Sequence, residues 1–342
     1  MKGVLLVNLG SPDSPTAKDV KPYLDEFLMD KYVIDLPYLL RAFVVRGIII
    51  GLRNRPIKSA EAYQKIWWKE GSPLIVLSER LQEKVQLKTT IPVALAMRYG
   101  KPSIKTGLEE LHQKGVTDVL VLPLYPQYAM ATTLTINELA DDIQKKDYPK
   151  MQLTHFPAFY NRSEYIKALS ESIKKSLKGF DYEKLVFSYH GVPERHIRKT
   201  GKPNTHKNII KDDYCCDPKT ADSEFCYRTH SFEITRQVVE YLGIDPNKVM
   251  NTFQSRISGD KWLDPYTDVE INNLAQSGIK KIAVVTPSFV SDCLETLEEI
   301  GMEAHDEFLK NGGEEFLTIP CMNEDELWVD ALQTWISEWQ AK

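Results

Sequence analysis

The sequence lacks a long apolar run. No stretch reaches the roughly 18–20 consecutive apolar residues that a membrane-spanning helix needs, so such a helix is not expected. The opening segment, MKGVLLVNLG, has only a short apolar run and no small-residue cleavage site, which is typical of a β-strand and not of a signal peptide. These absences predict a cytoplasmic protein.

Two nucleotide-binding motifs are also missing. Neither G-x-G-x-x-G nor G-x-x-x-x-G-K-[ST] occurs, which argues against a dinucleotide-dependent dehydrogenase and a P-loop NTPase. The formal net charge is -5, so the overall charge gives no reason to expect nucleic-acid binding.

Cysteine is scarce, and its number is odd. Five cysteines make a poor disulfide framework, which fits a reducing compartment. Cys215, Cys216 and Cys226 lie close together, with His206 and His230 nearby. They are either ligands of zinc or of an iron–sulfur centre, or buried thiols in an insertion. Their spacing matches no standard metal motif, and no C-x-x-C is present.

The most apolar segment is YVIDLPYLLRAFVVRGIIIGL, residues 32–52, and it has two interpretations. It is either an amphipathic helix on a membrane surface, with Arg41 and Arg46 at the lipid headgroups, or a core helix rich in Ile and Val. The sequence pattern alone does not decide between them.

A repeat organises the rest of the chain. Its 342 residues suggest two domains, and short runs rich in β-branched residues alternate with helical patterns, as in parallel α/β sheets. Each half offers four such runs, which begin near residues 3, 91, 117 and 151 in the first half and near residues 184, 248, 280 and 315 in the second. The sequence therefore predicts two similar doubly wound domains.

Ligands of open α/β sheets bind outside the carboxyl ends of the strands, so the residues at the strand exits are candidates for function. The exits carry Arg98, Tyr125, His190 and the run Gln254-Ser-Arg256. We expect these ends to line a cleft between the domains. A histidine at such an exit either exchanges protons or binds metal, or else is only structural.

Glu295, Glu299 and Glu303 are spaced four residues apart, which on a helix places the three carboxylates in one row. Spacing alone favours a solvated helix face, because like charges in a row repel. Asp292, like Ser291, is a candidate N-cap of this helix.

The motifs of this chain resemble those of ferrochelatases, which are class II chelatases and lyases that insert ferrous iron into a porphyrin. The resemblance covers nearly the whole sequence. The matching motifs are VNLGSP (7–12), AYQKIWWKEGSP (62–73), MRY (97–99), LYPQY (124–128), FSYHGVP (187–193), FQSR (253–256), WLDP (262–265) and SDCLET (291–296). Each is weak alone, but their order is specific.

The resemblance implies two Rossmann-like domains of the chelatase fold, each with a four-stranded parallel sheet flanked by helices. The implied bounds are 1–159 for the N-terminal domain and 160–317 for the C-terminal domain, with residues 318–342 packing back on the first. The porphyrin is expected in the cleft between them. The implied product is haem, made from protoporphyrin or coproporphyrin with the release of two protons.

The resemblance also implies roles for individual residues. His190 matches the essential histidine of the family and Glu295 its essential glutamate, which makes both catalytic. With Glu299 and Glu303 they form the candidate metal-binding row, along which iron enters or protons leave. Porphyrin contacts are expected from Leu9, Phe27, Leu28, Tyr63, Tyr125, Trp262 and Phe289. Propionate contacts are expected from Arg55 and Ser72, because cationic and hydroxyl groups suit carboxylates. Arg98, which matches a family arginine at the cleft, is expected either to bind a propionate or to assist the passage of the metal.

One position departs from the family. Cys293 stands where a histidine is usual, which leaves the roles of Cys293 and of the adjacent Asp292 open. No resident cofactor is expected, since iron is the substrate. The iron–sulfur cluster of some relatives is also not expected, because only Cys321 lies near the C-terminus. The resemblance favours contact with the inner membrane face by a monomer or homodimer.

Two alternative functions remain to be weighed. One is a chelatase that inserts cobalt or nickel into a sirohydrochlorin-type ring. The other is a haem or metal carrier without catalytic activity, although a carrier has no need of a proton-accepting histidine beside an acidic row.

Overall fold

The computed structural model describes residues 1–200, 223–256 and 259–342. Within these ranges the chain forms eight β-strands. They are β1 (Lys2–Asn8), β2 (Val93–Met97), β3 (Asp118–Pro123), β4 (Gln152–His155), β5 (Lys184–His190), β6 (Val249–Gln254), β7 (Lys281–Val285) and β8 (Glu315–Thr318). Each strand falls on one of the predicted runs.

The same ranges hold twelve α-helices. They are α1 (Ala17–Leu28), α2 (Tyr38–Ala42), α3 (Arg55–Ile66), α4 (Pro73–Leu87), α5 (Ile104–Gln113), α6 (Thr135–Asp147), α7 (Ser163–Ser176), α8 (Glu194–Thr200), α9 (Tyr227–Leu242), α10 (Thr267–Gln276), α11 (His305–Lys310) and α12 (Glu326–Gln340). Three further segments, Phe43–Leu52, Met130–Leu134 and Glu295–Ala304, are π-helical. Such i→i+5 helices are rare and often mark functional sites.

The strands form two parallel sheets with the same topology. The first sheet has the order β2-β1-β3-β4 and the second the order β6-β5-β7-β8. The central strands β1 and β5 consist largely of fully buried residues, as expected of parallel strands covered on both faces. The prediction of two similar α/β domains with four-stranded parallel sheets is confirmed.

The chain divides into two compact units. The first unit comprises residues 1–124, 130–157 and 332–342, and the second comprises residues 125–129 and 158–331. Of the segment 318–342, which was predicted to pack back on the N-terminal domain, residues 332–342 group with the first unit. Within that unit Trp335 stacks on Phe156, with ring centroids 5.0 Å apart.

The apolar segment 32–52 is not a core helix. Tyr38, Leu39, Leu40, Phe43, Leu52 and Ile57 are exposed, and we call this group the apolar patch. Leu39 and Leu52 are each 81% exposed, whereas Val45 and Ile50 on the opposite side are buried in the first unit. No helix in the described ranges is long and apolar enough to cross a membrane.

Two arginines of this segment do not take the positions expected of headgroup contacts. Arg41 is buried, and its Nη1 donates to the carbonyl oxygens of Ile34 and Leu36 at 3.3 and 3.0 Å. Arg46 forms a bidentate ion pair with Asp25, with both N···O distances at 2.8 Å. Both guanidinium groups are therefore engaged within the first unit.

Candidate active site

His190 is the last residue of β5, at the carboxyl end of the second sheet. Its Nδ1 lies 2.6 Å from the carbonyl oxygen of Gly191. A carbonyl oxygen only accepts hydrogen bonds, so Nδ1 carries the proton, and Nε2 of the neutral ring keeps its lone pair. The histidine is thus held in the tautomer that accepts a proton or binds a metal through Nε2.

Two side chains fix the backbone of His190. Its amide donates to Ser288 Oγ at 3.0 Å, and the Tyr227 hydroxyl donates to its carbonyl oxygen at 2.8 Å. Tyr227 Oη and Ser288 Oγ are also 2.8 Å apart. The Phe289 ring meets the imidazole edge-on, with centroids 6.0 Å apart. These contacts restrict the position of the ring before any substrate binds.

Gly191 brings neighbouring strands close to this exit. Its amide donates to the Gln254 carbonyl oxygen at 2.7 Å, and a Cβ at this position would lie 2.7 Å from the same oxygen. That Cβ would also lie 3.2 Å from the ring of Trp262. Trp262 is buried, and its indole Nε1 meets no hydrogen-bond acceptor among the described residues. The glycine is therefore required by close packing beside the histidine.

The acidic row lies on the π-helix Glu295–Ala304, not on an α-helix. Residues four apart still project from similar sides of this wider helix, so the row persists. Its members differ in exposure, since Glu295 and Glu299 are half-buried and Glu303 is exposed. The expectation of a solvated face from spacing alone thus holds only for the outer end of the row.

Glu299 is held from one side by the exit of β6. Ser255 Oγ donates to its Oε2, and Gln254 Nε2 lies 3.4 Å from the same oxygen. Burial raises the pKa of Glu299 above the ordinary carboxyl value. The Ser255 hydrogen bonds and the charge of a protonated His190 act in the opposite direction. Glu299 therefore sits where proton uptake is easier than in water.

The sequence suggested that Asp292 caps the acidic helix, but its side chain does not accept from the first N–H groups of that helix. Its Oδ1 accepts from the Thr296 hydroxyl at 2.9 Å and from the Cys321 amide at 3.2 Å. Its Oδ2 accepts from Asn323 Nδ2 at 2.7 Å, and Asn323 Oδ1 accepts from the Asp292 amide at 2.8 Å. Asp292 therefore ties the start of the acidic helix to the segment after β8.

Cys293 is a buried thiol. Burial raises its pKa well above the usual range, and the nearby Glu295 charge adds to the effect. Metal ligation and nucleophilic attack require the thiolate, which this environment disfavours. Cys226 is also buried, while Cys215 and Cys216 lie outside the described residues.

In the first unit, Arg98 belongs to a buried polar group around Asp30. Its guanidinium contacts Asp30 Oδ2 through one terminal nitrogen, while its Nε donates to Thr135 Oγ1 at 2.8 Å. The hydroxyls of Tyr99 and Thr135 also donate to Asp30 Oδ2, at 2.9 and 2.5 Å. Arg98 is thus largely engaged by a carboxylate of its own unit, and its Nη1 takes no part in these contacts.

The predicted apolar contacts of the first unit lie in or near an aromatic group at the exit of β1. Phe27 meets Tyr99 edge-on, with centroids 5.0 Å apart. Tyr63 meets Trp67 in the same way, with centroids 6.0 Å apart. Phe27 and Leu9 are half-buried, whereas Leu28, Tyr63 and Ser72 are buried. Arg55 is exposed. Tyr125, which belongs to the second unit, is buried.

No group of three or more His, Cys, Asp or Glu side chains is arranged to hold a metal ion in the part of the chain that the structure describes. The assignment of His190, Glu295, Glu299 and Glu303 to an iron path stays a prediction. The sequence reasoning missed Ser288 and Tyr227. Ser288 lies at the exit of β7, so the strand-exit rule was able to find it, whereas Tyr227 on α9 gave no comparable signal.

Comparisons with known proteins point to one family. A family model described as Ferrochelatase matches residues 1–340. Ferrochelatase from Pseudomonas fluorescens (strain SBW25) is 44% identical over 333 residues, covering 97% of this chain and 96% of the relative. Ferrochelatase from Pseudomonas aeruginosa (strain UCBPP-PA14) is 43% identical over 330 residues, covering 96% and 95%.

Two solved structures share the fold. SirB from Bacillus subtilis with Fe3+ has a TM-score of 0.56 at 14% identity and covers 98% of this chain and 94% of its own. The sirohydrochlorin chelatase SirB from Bacillus subtilis subspecies spizizenii, in complex with cobalt, has a TM-score of 0.53 at 12% identity, with coverage of 98% and 94%. At such identities the likeness concerns the fold alone and does not favour the sirohydrochlorin alternative.

Proposed function

Since the chain belongs to the ferrochelatase family, we propose that His190 and Glu295 carry its chemistry. The enzyme inserts ferrous iron into protoporphyrin to form haem. A free porphyrin carries two pyrrole N–H protons, and both must leave as the metal enters. The site therefore needs a proton acceptor, a route for the protons and a route for the iron.

The observation that carries this assignment is the Nδ1 contact of His190. Because Nδ1 donates to the Gly191 carbonyl, Nε2 is the free basic nitrogen, and it sits at a strand exit in the same unit as the acidic helix. We assign the pyrrole proton to Nε2. Glu295, near the start of the π-helix, is its proposed partner, since a carboxylate stabilises the imidazolium that forms.

Glu299 and Glu303 extend this path outward in the proposal. Exposure increases from Glu299 to Glu303, so the row joins a half-buried carboxylate to solvent. Carboxylate oxygens bind hard cations and also relay protons, so the same row of glutamates can carry iron or protons. We therefore propose that iron enters or protons leave along this helix.

The porphyrin contacts remain proposals too. Trp262 and Phe289 of the second unit and Phe27, Leu28 and Tyr63 of the first are apolar groups near strand exits. Leu9 and Tyr125 belong to the same set. Binding a bent ring more tightly than a flat one lowers the insertion barrier, because the nitrogen lone pairs of a bent ring are more accessible to metal. Arg55, Ser72 and Arg98 are the proposed propionate contacts.

We further propose that the apolar patch rests on a membrane surface at the cytoplasmic face. Six large apolar side chains are exposed on or next to one short helical segment, which is costly in water unless a partner covers them. Arg53 and Arg55 follow this segment and are exposed, so they suit anionic headgroups. Such a location gives access to a sparingly soluble porphyrin.

We propose no resident cofactor. Iron is the substrate, and the thiols of Cys293 and Cys321 are buried and have raised pKa values, which disfavours the thiolates that a metal or cluster needs. Metal and sulfide analysis of protein purified without oxygen tests this proposal and includes Cys215 and Cys216. Stoichiometric sulfide or zinc would contradict it.

Anaerobic metal insertion tests the proposed roles. Wild-type protein is mixed with Fe²⁺ or Zn²⁺ and with protoporphyrin or coproporphyrin, and the Soret and visible bands report the product. We expect turnover in the wild type and its loss in both His190→Ala and Glu295→Gln. Turnover that survives in both variants would overturn the assignment, and bound haem without turnover would indicate a carrier.

A further inference from the structure

Glu299 receives its hydrogen bonds from two consecutive residues at the exit of β6, Gln254 and Ser255. Ser255 Oγ donates to Glu299 Oε2, and Gln254 Nε2 approaches the same oxygen at 3.4 Å. Gln254 Nε2 also donates to the backbone carbonyl of Glu295 at 3.2 Å. The end of β6 is thus joined both to the backbone of the π-helix and to one of its carboxylates.

The orientation of the Gln254 amide is itself determined. Its Oε1 accepts from Ser188 Oγ at 2.7 Å, so its Nε2 must face the π-helix. Ser188 is fully buried and also contacts Thr267 Oγ1 at 2.8 Å, and Thr267 in turn donates to Thr252 Oγ1 at 2.8 Å. This chain of hydroxyls runs through the interior of the second unit. Gln254 therefore has little freedom to turn away from Glu299.

Ser255 adopts an unusual backbone conformation to make its contact. Its φ is +62°, in the left-handed region that residues other than glycine rarely enter. Such a conformation costs roughly 1–3 kcal/mol and persists only where the surroundings hold it. Glycine would remove this cost but would also remove the hydroxyl. The presence of serine fits a need for the hydroxyl at this position.

We propose that Ser255, supported by Gln254, is a positioning residue for Glu299. Both side chains contact Oε2, so they fix the orientation in which the carboxylate meets a passing cation or proton. This inference rests on the proposed function, because it assumes that the row from Glu295 to Glu303 carries substrate iron or released protons. It adds residues that are not themselves expected to touch the porphyrin or the metal.

A double-mutant cycle tests the proposal. Ser255→Ala and Glu299→Gln are made singly and together, and steady-state insertion of Zn²⁺ and Fe²⁺ into protoporphyrin is measured in each. We expect Ser255→Ala to raise the KM for the metal roughly tenfold, since a hydrogen bond to a charged group is lost, with the porphyrin KM within about twofold. In the Glu299→Gln background the same change should alter the metal KM by less than about twofold.

Two further variants separate positioning from general stability. Ser255→Gly removes the hydroxyl and relieves the backbone strain, so it should melt no lower than the wild type and still show the raised metal KM. Ser277→Ala is the control. It removes a hydroxyl at the end of α10 that donates to the Leu274 carbonyl at 2.8 Å, and it should leave the metal KM unchanged.

The outcomes are distinguishable. Additive effects of Ser255→Ala and Glu299→Gln, or an equal rise in the KM values of metal and porphyrin, would overturn the positioning role while leaving the proposed function intact. Absence of wild-type turnover would overturn the proposed function, and this inference with it.

Discussion

The imidazole Nδ1 of His190 lies 2.6 Å from the carbonyl oxygen of the next residue, Gly191. This short contact within the chain selects the tautomer, because only a protonated Nδ1 satisfies a carbonyl oxygen. The backbone carbonyl of Gly191, just after β5, thereby prepares Nε2 as an acceptor without help from a second side chain. It also means that the ring need not turn when the substrate arrives.

Replacing His190 by Asn distinguishes the role of Nδ1 as a hydrogen-bond donor from the role of Nε2 as a base. The Asn amide can still donate to the Gly191 carbonyl, but its oxygen is far less basic than Nε2. We expect kcat for metal insertion to fall about 10²–10⁴-fold, with little change in the dissociation constant for porphyrin measured by fluorescence quenching. His112→Asn on α5, where His112 is exposed, is the matched control. A fall of less than fivefold would show that Nε2 is not the base.

The fold could be predicted from the sequence because its strands are distinctive. Runs such as GVLLV and KLVFSY are β-branched and apolar, and strands buried on both faces need this composition. The repeat of four runs per half then led directly to two sheets, and both sheets have the same strand order. Strand-exit reasoning also located His190 and Gln254 from the sequence alone.

The acidic helix was harder to predict. An i,i+4 spacing of glutamates is equally compatible with an α-helix in water and with the π-helix that is present, since local pattern does not report backbone hydrogen-bond type. Two of the partners of Asp292 are Cys321 and Asn323, and the partners of Arg98 lie at residues 30 and 135. Such long-range pairs leave no trace in a single sequence.

Glu299 should make the stability of the folded protein decrease as the pH rises. Burial raises its pKa, so the folded protein binds this proton more tightly than the unfolded chain does. Its contribution to stability is complete below the ordinary carboxyl value of about 4.5 and declines as pH rises through the raised value. Glu299→Gln has no such loss and should melt above the wild type near neutral pH.

The melting temperatures are compared from about pH 4 to pH 8 by circular dichroism, where the difference between variant and wild type should grow with pH. Glu109→Gln, at an exposed position on α5, is the control and should show a difference that does not depend on pH in this way. A difference for Glu299→Gln that shrinks as pH rises would contradict the assigned direction.

Asp292 and Asn323 should tolerate exchange better than removal. Asp292→Ala removes the acceptor of the buried Cys321 amide, of the Asn323 amide and of the Thr296 hydroxyl, which retains only the Cys293 carbonyl at 3.3 Å, and each buried group left unsatisfied costs about 1–3 kcal/mol. In the exchange Asp292→Asn with Asn323→Asp, Nδ2 of the new Asn donates to the new carboxylate. Chemical denaturation should therefore place the double variant closer to wild type than Asp292→Asn alone. Simple additivity of the two single changes would refute this pairing.

Cys293 should behave as a packing residue. Because its thiol is buried and its pKa is raised, iodoacetamide should not label it in the native protein but should label it after unfolding in urea, as peptide mass spectrometry reports. Cys293→Ala should retain kcat within about threefold, since no thiolate is required. Rapid native labelling, or a loss of activity above tenfold in a folded Cys293→Ala protein, would indicate a chemical role.

The apolar patch should determine binding to lipid vesicles. Leu39 and Phe43 are 81% and 64% exposed, and burying a large apolar side chain is worth about 1.5–3 kcal/mol, so the double change Leu39→Asp with Phe43→Asp should abolish flotation with phosphatidylglycerol vesicles. Leu87→Asp is a matched control, because Leu87 is 87% exposed but lies at the end of α4 and outside the patch. Wild type and Leu87→Asp should float equally. Equal flotation of all three proteins would instead place the membrane contact elsewhere, and no flotation of the wild type would leave the exposed side chains to another partner.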